Sequence, residues 1–127
     1  MPHEPFLPML RELARCYQAF EAYSASHIRG LDLTPAQFDI VATLGNTPGM
    51  SFKELGEKTL ITKGTLTGVV DRLEAQRLVR RSASAEDGRS MIVSLTPAGE
   101  RLYGTVFPAH LAHLRLALGG LDAARLQ

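Results

Sequence analysis

The sequence predicts a mainly helical chain interrupted once by a short β-hairpin. Three observations carry that reading. Apolar residues recur at steps of three and four over most of the length. Threonine or serine stands in helix-opening position at Thr34, Ser51, Thr62 and Thr96, twice followed by proline. Only residues 79–95 change to short runs rich in β-branched and apolar residues around a polar, charged middle.

Phe6, Leu10, Leu13, Tyr17, Phe20, Ser24 and His27 fall at alternating steps of four and three, the seam of a long first helix that packs on another helix, with Gly30 ending it. Thr34, Pro35 and Gln37 read as N-cap, first helical residue and N3, a capping box that opens a second helix carrying Phe38, Val41 and Leu44 inward. Residues 45–49, with Asn46 and Pro48, read as a turn. Ser51 and Glu54 repeat the capping pattern ahead of a short third helix to about Lys58. After a tight connection, Thr62 caps a fourth helix to about Gln76. Val79–Arg81 and Ser90–Leu95 then read as strands flanking a charged loop. Thr96 and Pro97 open a fifth helix, in which Pro108 is expected to force a kink or break because it lacks an N–H and crowds the preceding turn. Gly119 and Gly120 end it, and a last helix begins at Leu121.

At 127 residues the chain has the length of one domain, with 45% hydrophobic and 21% charged residues. That composition excludes disordered and fibrous classes, and no apolar run is long enough to span a bilayer. No export signal is visible at the start, so a cytoplasmic protein is expected. Cys16 is the single cysteine, which excludes an internal disulfide and any multi-cysteine metal site. The net charge of +1 says little about nucleic acid; the placement of the basic groups says more.

Two short helices joined by a three-residue turn, the second followed by a hairpin, give the element order of a winged helix-turn-helix. On the fourth helix Leu66, Val69, Val70 and Leu73 share one side, while Gly64, Thr67, Gly68, Asp71 and Arg72 spread over the other. Two glycines on a polar face suit a backbone that approaches a major groove closely; equally, they suit a weak helix facing solvent. Lys63 and Thr65 stand in the first turn, where free N–H groups favour a phosphate. Arg72, Arg77, Arg80, Arg81 and Arg89 follow, a concentration that fits a surface contacting the DNA backbone.

From Leu33 to Leu102 the chain resembles the multiple antibiotic resistance regulator (MarR) family, through LTPAQFDIVATL, ITKGTLTGVVDRLEAQRLVRR and DGRSMIVSLTPAGERL. The family's wing motif is matched by Asp87, Arg89, Leu95, Thr96 and Gly99. The resemblance implies a sequence-specific double-stranded DNA-binding transcriptional regulator, a ligand-responsive repressor working as a homodimer on a palindromic operator. It implies that residues 1–30 and 96–127 form dimerisation helices and 34–95 the winged helix-turn-helix. It also implies that Thr62–Arg72 read the major groove, that Arg89 enters the minor groove, and that Asp87 orients a neighbouring arginine, with Arg72 the candidate. Two departures stand out. Arg77 replaces the glycine usual after the recognition helix, and Gly68 stands where many relatives carry a larger polar residue, leaving Thr65, Thr67 and Asp71 as candidates for base contacts.

The resemblance further suggests a small aromatic or phenolic effector, for which Tyr23, His27 and Phe38 are the candidate pocket residues, each also suited to plain packing. No cofactor and no metal is expected. His110 and His113, one turn apart, lack evident third and fourth ligands unless His27 or Glu21 meets them, so helix-seam histidines are the favoured reading. Cys16 is expected as a buried small hydrophobe. No phosphate loop, GxSxG elbow, HExxH or paired carboxylate points to an enzyme. The competing readings are a winged helix used for protein association and a metal or redox sensor on the same scaffold.

Overall fold

The computed structural model describes residues 4–84, 88 and 90–118; Asp87, Arg89 and the helix expected from Leu121 lie outside the described residues. In chain order the elements are α1 (Leu7–Gly30), α2 (Pro35–Leu44), β1 (Met50–Ser51), α3 (Phe52–Lys58), α4 (Lys63–Ala75), β2 (Val79–Ala83), β3 (Met91–Leu95) and α5 (Pro97–Leu118).

Local chemistry sets most boundaries. Thr34 and Gln37 form the expected reciprocal capping box, Gln37 N donating to Thr34 Oγ1 at 3.1 Å and Thr34 N to Gln37 Oε1 at 3.0 Å. Ser51 Oγ accepts the Glu54 N–H at 3.1 Å and opens α3. Thr96 Oγ1 accepts the Gly99 N–H at 3.1 Å at the start of α5. The first helix runs through Gly30 to a cap at Leu31, and it is Asp32, at φ 63°, that takes the left-handed conformation. In the turn before β1, Gly49 sits at φ 104° with a built Cβ only 2.7 Å from the Val93 carbonyl oxygen, so no side chain fits there.

The sheet has three antiparallel strands in the order β1-β3-β2, one more than the hairpin expected. Met50 and Ser51 pair with Val93 and Ile92, and β2 runs along β3 from Val79–Leu95 to Ala83–Met91. Two layers of core follow. Ile40, Val41, Leu44, Leu55, Leu66, Val70, Leu73, Val79 and Val93 form the larger cluster, joining α2, α3 and α4 to the sheet. Ile28, Leu33, Phe38 and Val106 form a second, joining α1, α2 and α5.

Of the kink or break expected at Pro108, the break is absent, since α5 continues through it to Leu118. Both Gly104 and Pro108 are exposed, so the carbonyl left without its N–H partner lies on the water side of the helix, where solvent can satisfy it.

The first two thirds of α1 contact nothing that buries them. Residues 4–22 are all exposed, and the seam residue Leu13 is 64% and Tyr17 55% accessible. Cys16, expected inside, is exposed with them, because this stretch projects beyond the packed body.

Candidate nucleic-acid interface

The inward stripe of α4, Leu66, Val69, Val70 and Leu73, is buried in the core and fixes which side of the helix faces out. Thr62, Lys63, Gly64, Thr65, Thr67, Gly68, Asp71 and Arg72 are all exposed, so the residues read as a polar face in the sequence do share the solvent side. Among the described residues nothing lies within 4 Å of a Cβ built on Gly64 or Gly68. Neither glycine is therefore required by packing inside the chain, and each makes α4 less stable than alanine would.

Thr62 is the N-cap of α4 but makes no side-chain cap bond; its hydroxyl donates to Thr65 Oγ1 at 3.1 Å instead. That arrangement leaves first-turn N–H groups beside Lys63 for an outside acceptor, where the helix dipole also favours an anion.

The C-terminal end of α4 answers the question raised by Arg77. Arg77 adopts φ 62°, its N–H bonds Glu74 O at 2.9 Å, and the Leu78 N–H reaches back to Leu73 O at 3.0 Å. This is a Schellman cap built with an arginine in the position that usually takes glycine. The turn is held from outside by Thr96, whose hydroxyl donates to Arg77 O at 2.7 Å and whose N–H donates to Leu78 O at 3.0 Å.

The basic surface is smaller than the sequence suggested. Arg81 pairs with Asp71, lies 3.6 Å from a Glu74 carboxylate oxygen, and sits over the Phe52 ring at 5.5 Å. Its side chain clamps β2 to α4 and α3 rather than joining an outward basic patch. The alternation of β2 carries the signal: Arg81 shares the face of buried Val79, while Arg80 points to solvent. Asp71 stands on the outer face with its carboxylate engaged by that clamp. Lys63, Arg72, Arg77 and Arg80 remain as exposed cations. Asp87 and Arg89, the wing residues singled out in the sequence, lie outside the described residues.

Behind this surface a cleft of about 400 Å³ opens between α1, α2, α5 and the α3–α4 connection. Phe38 lines it, together with Glu21, Ser24, Asp39, Leu60 and His110, none of them chosen for it from the sequence except Phe38. Asp39 accepts the Leu60 N–H at 3.2 Å, and burial pushes its carboxyl above the usual carboxylate range.

Tyr23 and His27 stand one layer away. The Tyr23 hydroxyl donates to His113 O at 2.8 Å while its ring stacks on His113 at 4.1 Å, and His27 stacks on the same imidazole at 4.2 Å. His27 Nδ1 and His110 Nδ1 are 2.9 Å apart, and His110 Nε2 lies 3.1 Å from Ser24 Oγ. A hydrogen bond between two imidazoles needs one acceptor nitrogen, so at least one ring is neutral. Burial, reinforced by the neighbouring imidazoles, holds both His27 and His110 below the ordinary histidine value. The helices thus do bring His27 to His110 and His113, but the rings stack face to face, and no metal-ligating group of three exists among the described residues.

No described helix is long and apolar enough to cross a membrane. The MarR family profile matches residues 31–90. The transcriptional regulator MhqR of Bacillus subtilis is 31% identical over 111 residues, 87% of this chain and 77% of that protein. The homoprotocatechuate degradative operon repressor of Escherichia coli is 33% identical over 72% of this chain and 62% of its own length. Among solved structures, BpsR of Bordetella bronchiseptica, described with regulation of its DNA binding by 6-hydroxynicotinic acid, superposes with a TM-score of 0.82 at 30% identity over 98% of this chain and 89% of its own. AbsC of Streptomyces coelicolor, at 22% identity, shares the fold with a TM-score of 0.88 over 99% of this chain and 87% of its own. These relatives are transcriptional regulators, not enzymes, and they do not favour a winged helix devoted to protein association. With an outward polar recognition helix, a winged sheet behind it and these relatives, the chain belongs to the MarR family of DNA-binding transcriptional regulators.

Proposed function

We propose that this MarR-family regulator represses transcription as a homodimer on a palindromic operator, with α4 of each subunit in the major groove. The outer face of α4 carries the reading: eight exposed polar or small residues from Thr62 to Arg72, with two glycines that nothing inside the chain requires. Thr65 and Thr67 meet base edges, Lys63 and Arg72 meet phosphates, and Asp71 holds Arg81 in place beneath the helix. Arg89 extends the contact into the minor groove, where a narrow groove strengthens the negative potential that attracts arginine, and Asp87 orients a neighbouring arginine, with Arg72 the candidate.

The dimer is supported by the exposed seam Phe6, Leu10, Leu13, Tyr17 and Phe20. An apolar stripe left facing water is unfavourable, and a second copy of the same seam would cover it. Residues 1–30 and 96–127 then supply the dimerisation helices and 34–95 the reading unit. Two-fold symmetry places half-sites about 34 Å apart, one turn of duplex. Acting on chromosomal operators puts the working protein in the cytoplasm.

A small aromatic effector bound in the cleft of Phe38 would alter the spacing of the two recognition helices, to the extent that it prefers one spacing over the other. The relative BpsR, whose DNA binding is regulated by 6-hydroxynicotinic acid, supports a small aromatic effector as such, apart from where it binds and what charge it carries. Selection from random duplex DNA, followed by titration at two salt concentrations, tests the whole reading. A palindromic winner, affinity falling steeply with salt, and clear loss in Lys63→Ala and Arg89→Ala are expected. Absence of enrichment, or affinity untouched by both substitutions, would remove the assignment of α4 and the wing.

A further inference from the structure

The cleft between α1, α2, α5 and the α3–α4 connection is acidic. Its wall carries two carboxylates, Glu21 from α1 and Asp39 from α2, and no lysine or arginine among the described residues. The one other titratable group on the wall, His110, is 5% exposed, is hydrogen-bonded through both ring nitrogens to His27 and Ser24, and is held below the ordinary histidine value. It supplies no resident positive charge near neutral pH. The rest of the wall that matters to a ring is the face of Phe38 and the aliphatic Leu60.

Resting on the effector reading above, we propose that this cleft selects an uncharged, hydroxyl-bearing aromatic and rejects aromatic carboxylates, with Asp39 as the discriminating acceptor. An anionic ligand entering this open cleft would be partly desolvated without a counterion and set beside a fixed carboxylate, which is unfavourable on both counts. A phenolic hydroxyl reverses the balance: it donates to Asp39 while the ring packs against Phe38, and the cleft volume falls in the range that holds a ring with small substituents. Selection by a resident like charge is discrimination through an unfavourable contact with the wrong ligand. Asp39 also accepts the Leu60 N–H two residues before the Thr62 cap, so the group that meets the ligand is tied directly to the chain entering α4.

The test is a matched pair of probes of nearly equal size, 2-(4-hydroxyphenyl)ethanol and 4-hydroxyphenylacetate, titrated calorimetrically into the full chain at pH 7. The alcohol is expected to bind at least about tenfold more tightly than the carboxylate. In Asp39→Asn, confirmed as folded by circular dichroism, that ratio is expected to fall to roughly threefold or less. The wild-type ratio stands on its own if the variant does not fold. Equal or tighter binding of the carboxylate overturns charge selection while leaving an aromatic effector in place. An unchanged ratio in folded Asp39→Asn overturns the role of Asp39. Failure of both probes to bind at millimolar concentration overturns the effector reading together with this one.

Discussion

Replacing Gly68 with alanine should push two properties of the protein in opposite directions. Gly68 is the sixth residue of α4, past the first turn, and a Cβ there meets nothing within 4 Å. The substitution therefore adds no clash and removes none, and the free protein gains the intrinsic preference of alanine over glycine in a helix interior, about 0.8–1.0 kcal/mol. For a chain of this size the midpoint of thermal unfolding should rise by about 4 °C, readable by circular dichroism at fixed protein concentration. Operator affinity should move the other way. A methyl group between helix backbone and groove floor pushes α4 outward, weakening contacts whose individual worth is about 1–3 kcal/mol, so roughly a tenfold loss in a fluorescence-anisotropy titration is expected. Gly64 lies in the first turn, where the helical preference counts less, so Gly64→Ala should show the affinity loss with a smaller gain in stability. A stability gain with operator affinity unchanged would refute close backbone approach and leave the two glycines as weak points facing solvent. No stability gain would refute the open surroundings from which the magnitude was worked.

Three further outcomes follow from the geometry. Arg77→Gly should stabilise by roughly 1 kcal/mol because it relieves a left-handed residue, whereas Arg77→Ala, which keeps the Cβ at φ 62°, should not; equal midpoints for the two would count against the Schellman cap as the source. His27 and His110 have folded pKa values below the unfolded value of about 6.5, so the unfolded chain binds more protons as pH falls from neutrality; stability should be flat above about pH 7 and decline below it through the depressed values. His27→Gln and His110→Gln should flatten that slope in urea titrations at pH 7 and 5.5, while Asp39, raised by burial, contributes in the opposite sense further to the acid side, where stability falls as pH rises through its folded value. Leu13→Glu, in the exposed seam of α1, should shift the protein from dimer to monomer in analytical ultracentrifugation; a dimer of unchanged strength would move the interface elsewhere.

What could be read from the sequence was whatever local chemistry decides. The capping box of Thr34 and Gln37, the Ser51 cap and the inward stripe of α4 each depend on residues a few positions apart, and the structure has them in place. Strand β1 escaped because two residues cannot show an alternation; only pairing with Ile92 and Val93 defines it. Arg81 was read as outward because a basic cluster hides which of its members has a carboxylate partner ten positions back in Asp71. The cleft escaped for a related reason, since Glu21, Asp39, Leu60 and His110 come from three separate helices and the α3–α4 connection, and only the tertiary fold brings them to one wall. Pro108 was expected to interrupt α5 because sequence shows the missing donor but not that the orphaned carbonyl faces water.

The joint between α4 and α5 has a mechanical meaning. Thr96 bonds both Arg77 O and Leu78 O, and Gly99 lies so close that a Cβ built on it would overlap the Leu78 carbonyl oxygen. The end of the recognition helix and the first turn of α5 are thus fastened as one piece, with no slack for a hinge. Farther along α5, two residues before His110, Pro108 supplies no N–H to the helix ladder. Through the Thr96 joint the DNA-facing helix follows any movement of the first turn of α5 as one rigid unit.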